Sequence, residues 1–186
     1  MTRLILIRHG ETDWNVENRW QGQADVPLNA NGRAQARQVA ERLQGDGIQA
    51  IYASDLERAR ETAGELARLT GLKVHLDPRL REIHQGDWQG MLASEIETRY
   101  AWFFQNKPTN LLESAPPGGE TIGQVQARLL AAIQDIARAH PGGSVAVVSH
   151  GFAIAVVLAY YRGVPPERIW ELVPRNDEVN EIVLVA

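Results

Sequence analysis

Residues 4–10 read Leu4-Ile5-Leu6-Ile7-Arg8-His9-Gly10, and this short run decides the fold. Four consecutive apolar residues, two of them β-branched, suit a strand covered on both faces. The run stops abruptly at a cation, an imidazole and a glycine. Open α/β sheets bind ligands beyond the carboxyl ends of their strands, so Arg8 and His9 stand where a site is expected. Gly10 lets the backbone turn sharply and approach a ligand closely. Taken alone, the tripeptide equally fits a strand that ends in polar loop residues.

The same pattern returns far along the chain. Val145–Val148 is fully apolar and ends in Ser149-His150-Gly151. Two histidines at the ends of two buried parallel strands can face one another across a crevice. Between and after them, apolar spacing predicts helices over residues 34–43, 56–69, 94–104, 121–139, 152–161 and 166–170. Strands are predicted over 50–53, 73–76 and 182–185. The alternation argues for an α/β fold, a three-layer α/β/α sandwich with a mostly parallel central sheet. A single domain over 1–186 is expected, with a cap-like insertion at about 91–119. Ser54 or Asp55 is the natural N-cap of the second helix, which places Arg58 in its first turn. A cation is disfavoured at that end of a helix dipole unless an anion binds there.

Composition narrows the function classes. Hydrophobic residues at 44% and charged residues at 23% of 186 are ordinary for a globular protein. A net charge of −4 argues against nucleic acid or an acidic membrane as partner, so an anion site has to be built locally. The absence of cysteine removes disulfides, thiolate catalysis and Cys-ligated zinc. Histidines 9, 75, 84, 140 and 150 show no paired ligand spacing, and no carboxylate cluster offers a hard-cation site; no metal and no cofactor are expected. The apolar stretch Phe152–Tyr161 is too short to span a bilayer. The four-residue apolar run at the amino terminus is no secretory signal. A cytoplasmic protein without membrane or nucleic-acid partner is therefore the expectation, with a homodimer left open.

Five stretches in order add a resemblance. Arg8-His9-Gly10-Glu11-Thr12 followed by Asn15, then Ser54-Asp55-Leu56-Glu57-Arg58-Ala59, then Glu82-Ile83-His84-Gln85-Gly86-Asp87-Trp88, Gly118-Gly119-Glu120-Thr121 and Ser149-His150-Gly151 are similar to motifs of the histidine phosphatase superfamily, the phosphoglycerate mutase-like proteins. The resemblance implies that His9 is the nucleophile that becomes phosphorylated and that His150 is the second catalytic histidine. It implies that Glu82 is the general acid, with Asp87 a rival by chemistry alone. Arg8 and Arg58 would bind phosphate, joined by Asn15, Gln21, Gly22 and Gly151. Gln21 and Gly22 also read as plain turn residues, and His84 as either a substrate contact or a loop histidine.

The function implied is hydrolysis of a small phosphorylated metabolite, a phosphomonoester, through a phosphohistidine. A cofactor-dependent phosphoglycerate mutase and a non-catalytic phospho-ligand or interaction module are the alternatives. Cap composition favours hydrolysis. Residues 91–119 carry only Arg99 and Lys107 as cations, beside Glu95, Glu97 and Glu113, which is poor for gripping a second phosphate. Arg81, Arg162 and Arg175 are further cations that could point inward.

Overall fold

The computed structural model describes residues 1–106 and 109–185. Five strands, β1 (Thr2–Arg8), β2 (Ala50–Ala53), β3 (Val74–Leu76), β4 (Ser144–Ser149) and β5 (Val179–Leu184), form one sheet in the order β3-β2-β4-β1-β5. All neighbours run parallel except β5, which pairs antiparallel with β1 at the edge. The helices are α1 (Asp13–Val16), α2 (Ala30–Leu43), α3 (Glu57–Thr70), α4 (Ala93–Arg99), α5 (Ala101–Gln105), α6 (Ile122–Ala139) and α7 (Gly151–Arg162).

Strand side chains alternate between faces, and β1 divides its run between two cores. Leu4 and Leu6 pack with Val145, Val147 and the inner faces of α6 and α7. Ile5 and Ile7 pack with Ile51, Ala146, Val148 and residues of α2 and α3. Each of Leu4–Ile7 is no more than 1% exposed. Full burial of such a side chain is worth roughly 1.5–3 kcal/mol, so the unbroken apolar run is explained by two layers to fill. The three-layer sandwich is what results. In α7 every residue from Gly151 to Ala159 is buried, as its apolarity on all sides requires.

Several expected boundaries move. The helix expected over 94–104 is two, α4 and α5, broken at Tyr100. The last strand starts three residues earlier than its apolar residues suggested, because an edge strand with one wet face carries Asn180 and Glu181. Neither Ser54 nor Asp55 caps α3; Leu56 is the N-cap residue and has no side-chain bond to give. Asp25 supplies the acceptor from another loop, its Oδ1 lying 2.6 Å from the Glu57 N–H. Ser54 and Asp55 are committed elsewhere, to His150 and Arg81.

Gly10 also has a different reason from the one expected. Its φ is not in the left-handed region. A Cβ at Gly10 would lie 2.3 Å from the Gly32 carbonyl oxygen, so the close approach is to the start of α2 rather than to a ligand.

Candidate active site

The parallel pairing of β1 with β4 sets Arg8 opposite Ser149. The residues that follow, His9 and His150, are thereby brought side by side, and the His9 N–H donates to the Ser149 carbonyl at 3.1 Å. Their rings meet edge to face with centroids 5.1 Å apart. His9 Nδ1 lies 2.7 Å from the Gly10 carbonyl oxygen, which can only accept, so Nδ1 carries the proton. Nε2 is left with its lone pair, and it accepts from Arg58 Nε at 3.2 Å. Burial, then the charges of Arg58 and Arg8, push the His9 pKa well below its ordinary 6.5. A neutral imidazole with an unprotonated Nε2 is the form a nucleophile needs.

His150 is fully buried, and the same burial, with Arg58 and His9, holds its pKa well below 6.5. Its Nε2 lies 2.8 Å from Ser54 Oγ, an oxygen that already accepts from the Leu56 N–H. The Ser54 hydroxyl can give its proton to His150 Nε2, and in that tautomer the ring proton is on Nδ1. That atom is buried and without a partner among the described residues.

Arg58, only 1% exposed, is positioned by the first turn of α3. Its Nη1 donates to the Ala24 carbonyl at 2.7 Å and its Nη2 to the Gly22 carbonyl at 2.8 Å. Burial lowers its pKa to about 10, so it stays charged at neutral pH. Arg8 donates from Nη1 to the Pro174 carbonyl at 2.5 Å, while its buried Nε has no partner among the described residues. Gly151 makes room for it: a Cβ there would sit 3.1 Å from Arg8 Cζ.

Glu82 is held by the amino end of α7. Its Oε1 accepts from the Ala153 N–H at 2.9 Å and the Ile83 N–H at 3.0 Å, and its Oε2 from the Phe152 N–H at 3.0 Å. The loop that carries it is pinned from behind. Arg128 donates to the carbonyls of Arg79, Arg81 and Glu82, and Glu120 ties Arg128 to the His84 N–H. This gives Glu120, in the fourth resembled motif, a structural task.

These side chains surround a cavity of about 160 Å³, whose wall includes Arg8, His9, Asn15, Gln21, Gly22, Arg58, Glu82 and Gly151. His150 is absent from the wall and lies behind it, against His9 and Ser54. Asn15 Oδ1 accepts from the Thr12 N–H in the cap of α1. Gln21 Oε1 is buried and without a partner among the described residues. His84 lines no part of this cavity; its Nδ1 accepts from the Gly86 N–H and braces the loop. Asp87 is exposed and also off the wall, which leaves Glu82 as the carboxylate within it.

Sequence reasoning missed Gln85, Trp20, Phe152, Trp170 and Arg19, all on the wall, and Ser54 behind it. Arg19 pairs with Glu17, donates to the Gly90 carbonyl and lies over Trp14. Nothing in its sequence setting marks it, since loop cations are usually solvated. Arg81 is bound to Asp55, Arg162 reaches Asn180, and Arg175 is 94% exposed beside Glu178. Arg99 lies along a separate surface hollow, and Lys107 falls outside the described residues. Among the described residues, no three His, Cys, Asp or Glu side chains gather as a metal site would require, and no helix is long and apolar enough to cross a membrane.

Comparison with known proteins identifies the family. The chain is 36% identical over 182 residues to "Probable phosphoglycerate mutase GpmB" of Enterobacter sp. (strain 638), covering 98% of this chain and 85% of that one. Among solved structures, YhfR of Bacillus stearothermophilus superposes with a TM-score of 0.90 at 37% identity, over 100% of this chain and 92% of that one. A mycobacterial glucosyl-3-phosphoglycerate phosphatase, solved with VO3, gives 0.85 at 37% identity over 96% of this chain and 90% of that one. The family model described as the histidine phosphatase superfamily (branch 1) matches residues 4–185. With that match over nearly its whole length, the chain belongs to the histidine phosphatase superfamily, branch 1.

Proposed function

We propose that this chain is a phosphomonoester hydrolase that works through a phosphohistidine at His9. The observation that carries the reading is the buried, neutral His9, whose unprotonated Nε2 is held by Arg58 at one wall of a cationic cavity. A phosphate monoester brings about two negative charges at neutral pH. Arg8 and Arg58 meet them with rigid planar donors, in a buried setting where such contacts are strong. His9 Nε2 attacks phosphorus, the P–N bond forms and the ester P–O bond breaks. Glu82, entering as the acid, gives its proton to the departing alkoxide. A water then attacks the phosphohistidine while the Glu82 carboxylate takes its proton; the P–N bond breaks and inorganic phosphate leaves. His150 Nδ1–H is the donor suited to stabilise the phosphoryl oxygens once substrate brings them within reach.

The runner-up is a cofactor-dependent phosphoglycerate mutase, supported by the name of the Enterobacter relative and by Arg19 at the cavity wall. A mutase has to retain a doubly phosphorylated intermediate, and one further arginine, already paired with Glu17, is a weak grip for it. Rapid quench with labelled substrate is expected to trap an acid-labile, base-stable adduct that His9→Ala abolishes. Supplying 3-phosphoglycerate with a trace of 2,3-bisphosphoglycerate should yield free phosphate faster than 2-phosphoglycerate. Isomer forming much faster than phosphate would make the chain a mutase.

A further inference from the structure

Beside the cationic cavity lies a second one of about 310 Å³, and the two share Trp20, Gln85, Phe152 and Trp170 as a common wall. The remaining wall is of another character. It includes Ile83 and Trp88 from the loop that carries Glu82, Phe103 and Phe104 from α5, Leu111 from the turn that follows, and Ile122 at the start of α6. The aromatic rings interlock: Trp88 lies 4.9 Å from Phe103, 5.5 Å from Trp20 and 5.8 Å from Phe104 between centroids. Among the described residues, Glu167 is the ionisable one on this wall, and it is an acid. A volume near 300 Å³ is already within the range of ligand pockets.

We propose that this cavity holds the alcohol portion of the substrate, and that the substrates preferred are phosphomonoesters of extended apolar alcohols, aryl or medium-chain alkyl. The inference rests on the hydrolase reading for the chemistry and adds the leaving group to it. A phosphate seated between Arg8 and Arg58 has its ester oxygen toward Glu82, and the loop from Glu82 to Trp88 joins the two cavities. A compact polyanion such as phosphoglycerate would set its carboxylate against aromatic rings and Glu167, with no cation among the described residues of this wall to receive it. An alkyl or aryl group instead leaves water for surface that is already apolar. This also assigns the cap its contribution, because Phe103, Phe104 and Leu111 all come from the stretch between β3 and α6.

The test is a series of n-alkyl phosphates from ethyl to octyl. Their leaving groups are nearly equal in basicity, so the trend reports burial rather than chemistry. Transfer of each methylene into an apolar site is worth up to about fourfold. We expect kcat/KM to climb along the series by factors approaching this and level off once the cavity is filled. Phe104→Ser and Leu111→Asn touch only the second cavity; they should cut octyl phosphate turnover about tenfold or more while ethyl phosphate stays within about twofold. A flat or falling series with ethyl phosphate still hydrolysed overturns the subsite and leaves the hydrolase reading standing. Binding is followed separately through tryptophan fluorescence with n-octylphosphonate and methylphosphonate, which cannot turn over. If no ester is hydrolysed, the hydrolase reading falls, and tighter binding of the octyl compound still upholds the subsite. Equal binding of the two phosphonates overturns it whatever the catalysis, and a variant that fails to fold leaves both wild-type measurements decisive.

Discussion

Acidification from about pH 7.5 to about pH 5.5 should destabilise this fold by an amount set by two side chains. His9 and His150 are buried and neutral, each with its pKa held well below 6.5 by burial and by neighbouring arginines. In the unfolded chain both return to about 6.5. Below that pH the unfolded state takes up two protons that the folded state refuses. Stability therefore rises with pH across this window and falls as pH is lowered. The limiting slope is about 1.4 kcal/mol per pH unit for each histidine. Integrated over the interval, the two together remove up to about 3 kcal/mol, a large share of the roughly 5–15 kcal/mol typical of a domain. The carboxylates held low in the fold, Asp55 and Asp77 by their arginine partners and Glu120 by Arg128, lose their contribution only near and below their ordinary values of 3.8 and 4.5, outside this window. Urea unfolding at the two pH values is the assay. With a slope of about 2 kcal/mol per molar, the midpoint should fall by up to about 1.5 M. His9→Asn and His150→Asn should each abolish about half of that drop, and the double variant nearly all. An unchanged wild-type midpoint, or a double variant that loses as much stability as the wild type, would refute the buried neutral pair and with it the form in which His9 is proposed to attack.

Glu82→Gln should slow alkyl esters by about 10²–10⁴-fold and nitrophenyl esters far less, since their leaving groups need little protonation; equal losses, or a larger loss from Asp87→Asn, would move the role elsewhere. Ser54→Ala should lower kcat about tenfold with little change in KM by releasing His150 Nε2, and Ser54→Thr should restore it; an unaltered kcat would leave His150 oriented by packing alone. Gly10→Ala drives a methyl into the Gly32 carbonyl and should cost about 1–3 kcal/mol, or about 2–12 °C in Tm; an unchanged Tm would show that α2 gives way freely. Activity should survive excess EDTA, because Arg8 and Arg58 already supply the positive charge; a loss reversed by Mg²⁺ or Zn²⁺ would overturn that expectation.

The sequence by itself determined what burial pattern alone encodes. Unbroken apolar runs at Leu4–Ile7 and Val145–Val148, each ending in a polar residue, a histidine and a glycine, read as strands between two layers, with the histidines at their carboxyl ends. Arg58 at the start of a helix was legible for the same local reason. Tertiary structure decided the rest, because it depends on which separate elements dock together. The register of Arg8 against Ser149 sets the ring separation of His9 and His150. Docking of the loop after β2 gives Ser54 to His150 and leaves α3 capped by Asp25. Burial, which no residue type announces, keeps both histidines neutral. The wall shared by the two cavities joins Trp20, Gln85, Phe152 and Trp170, drawn from four distant segments. Each of these reads locally as a loop or core residue, because a cavity is a property of the packed whole and leaves no period in the chain.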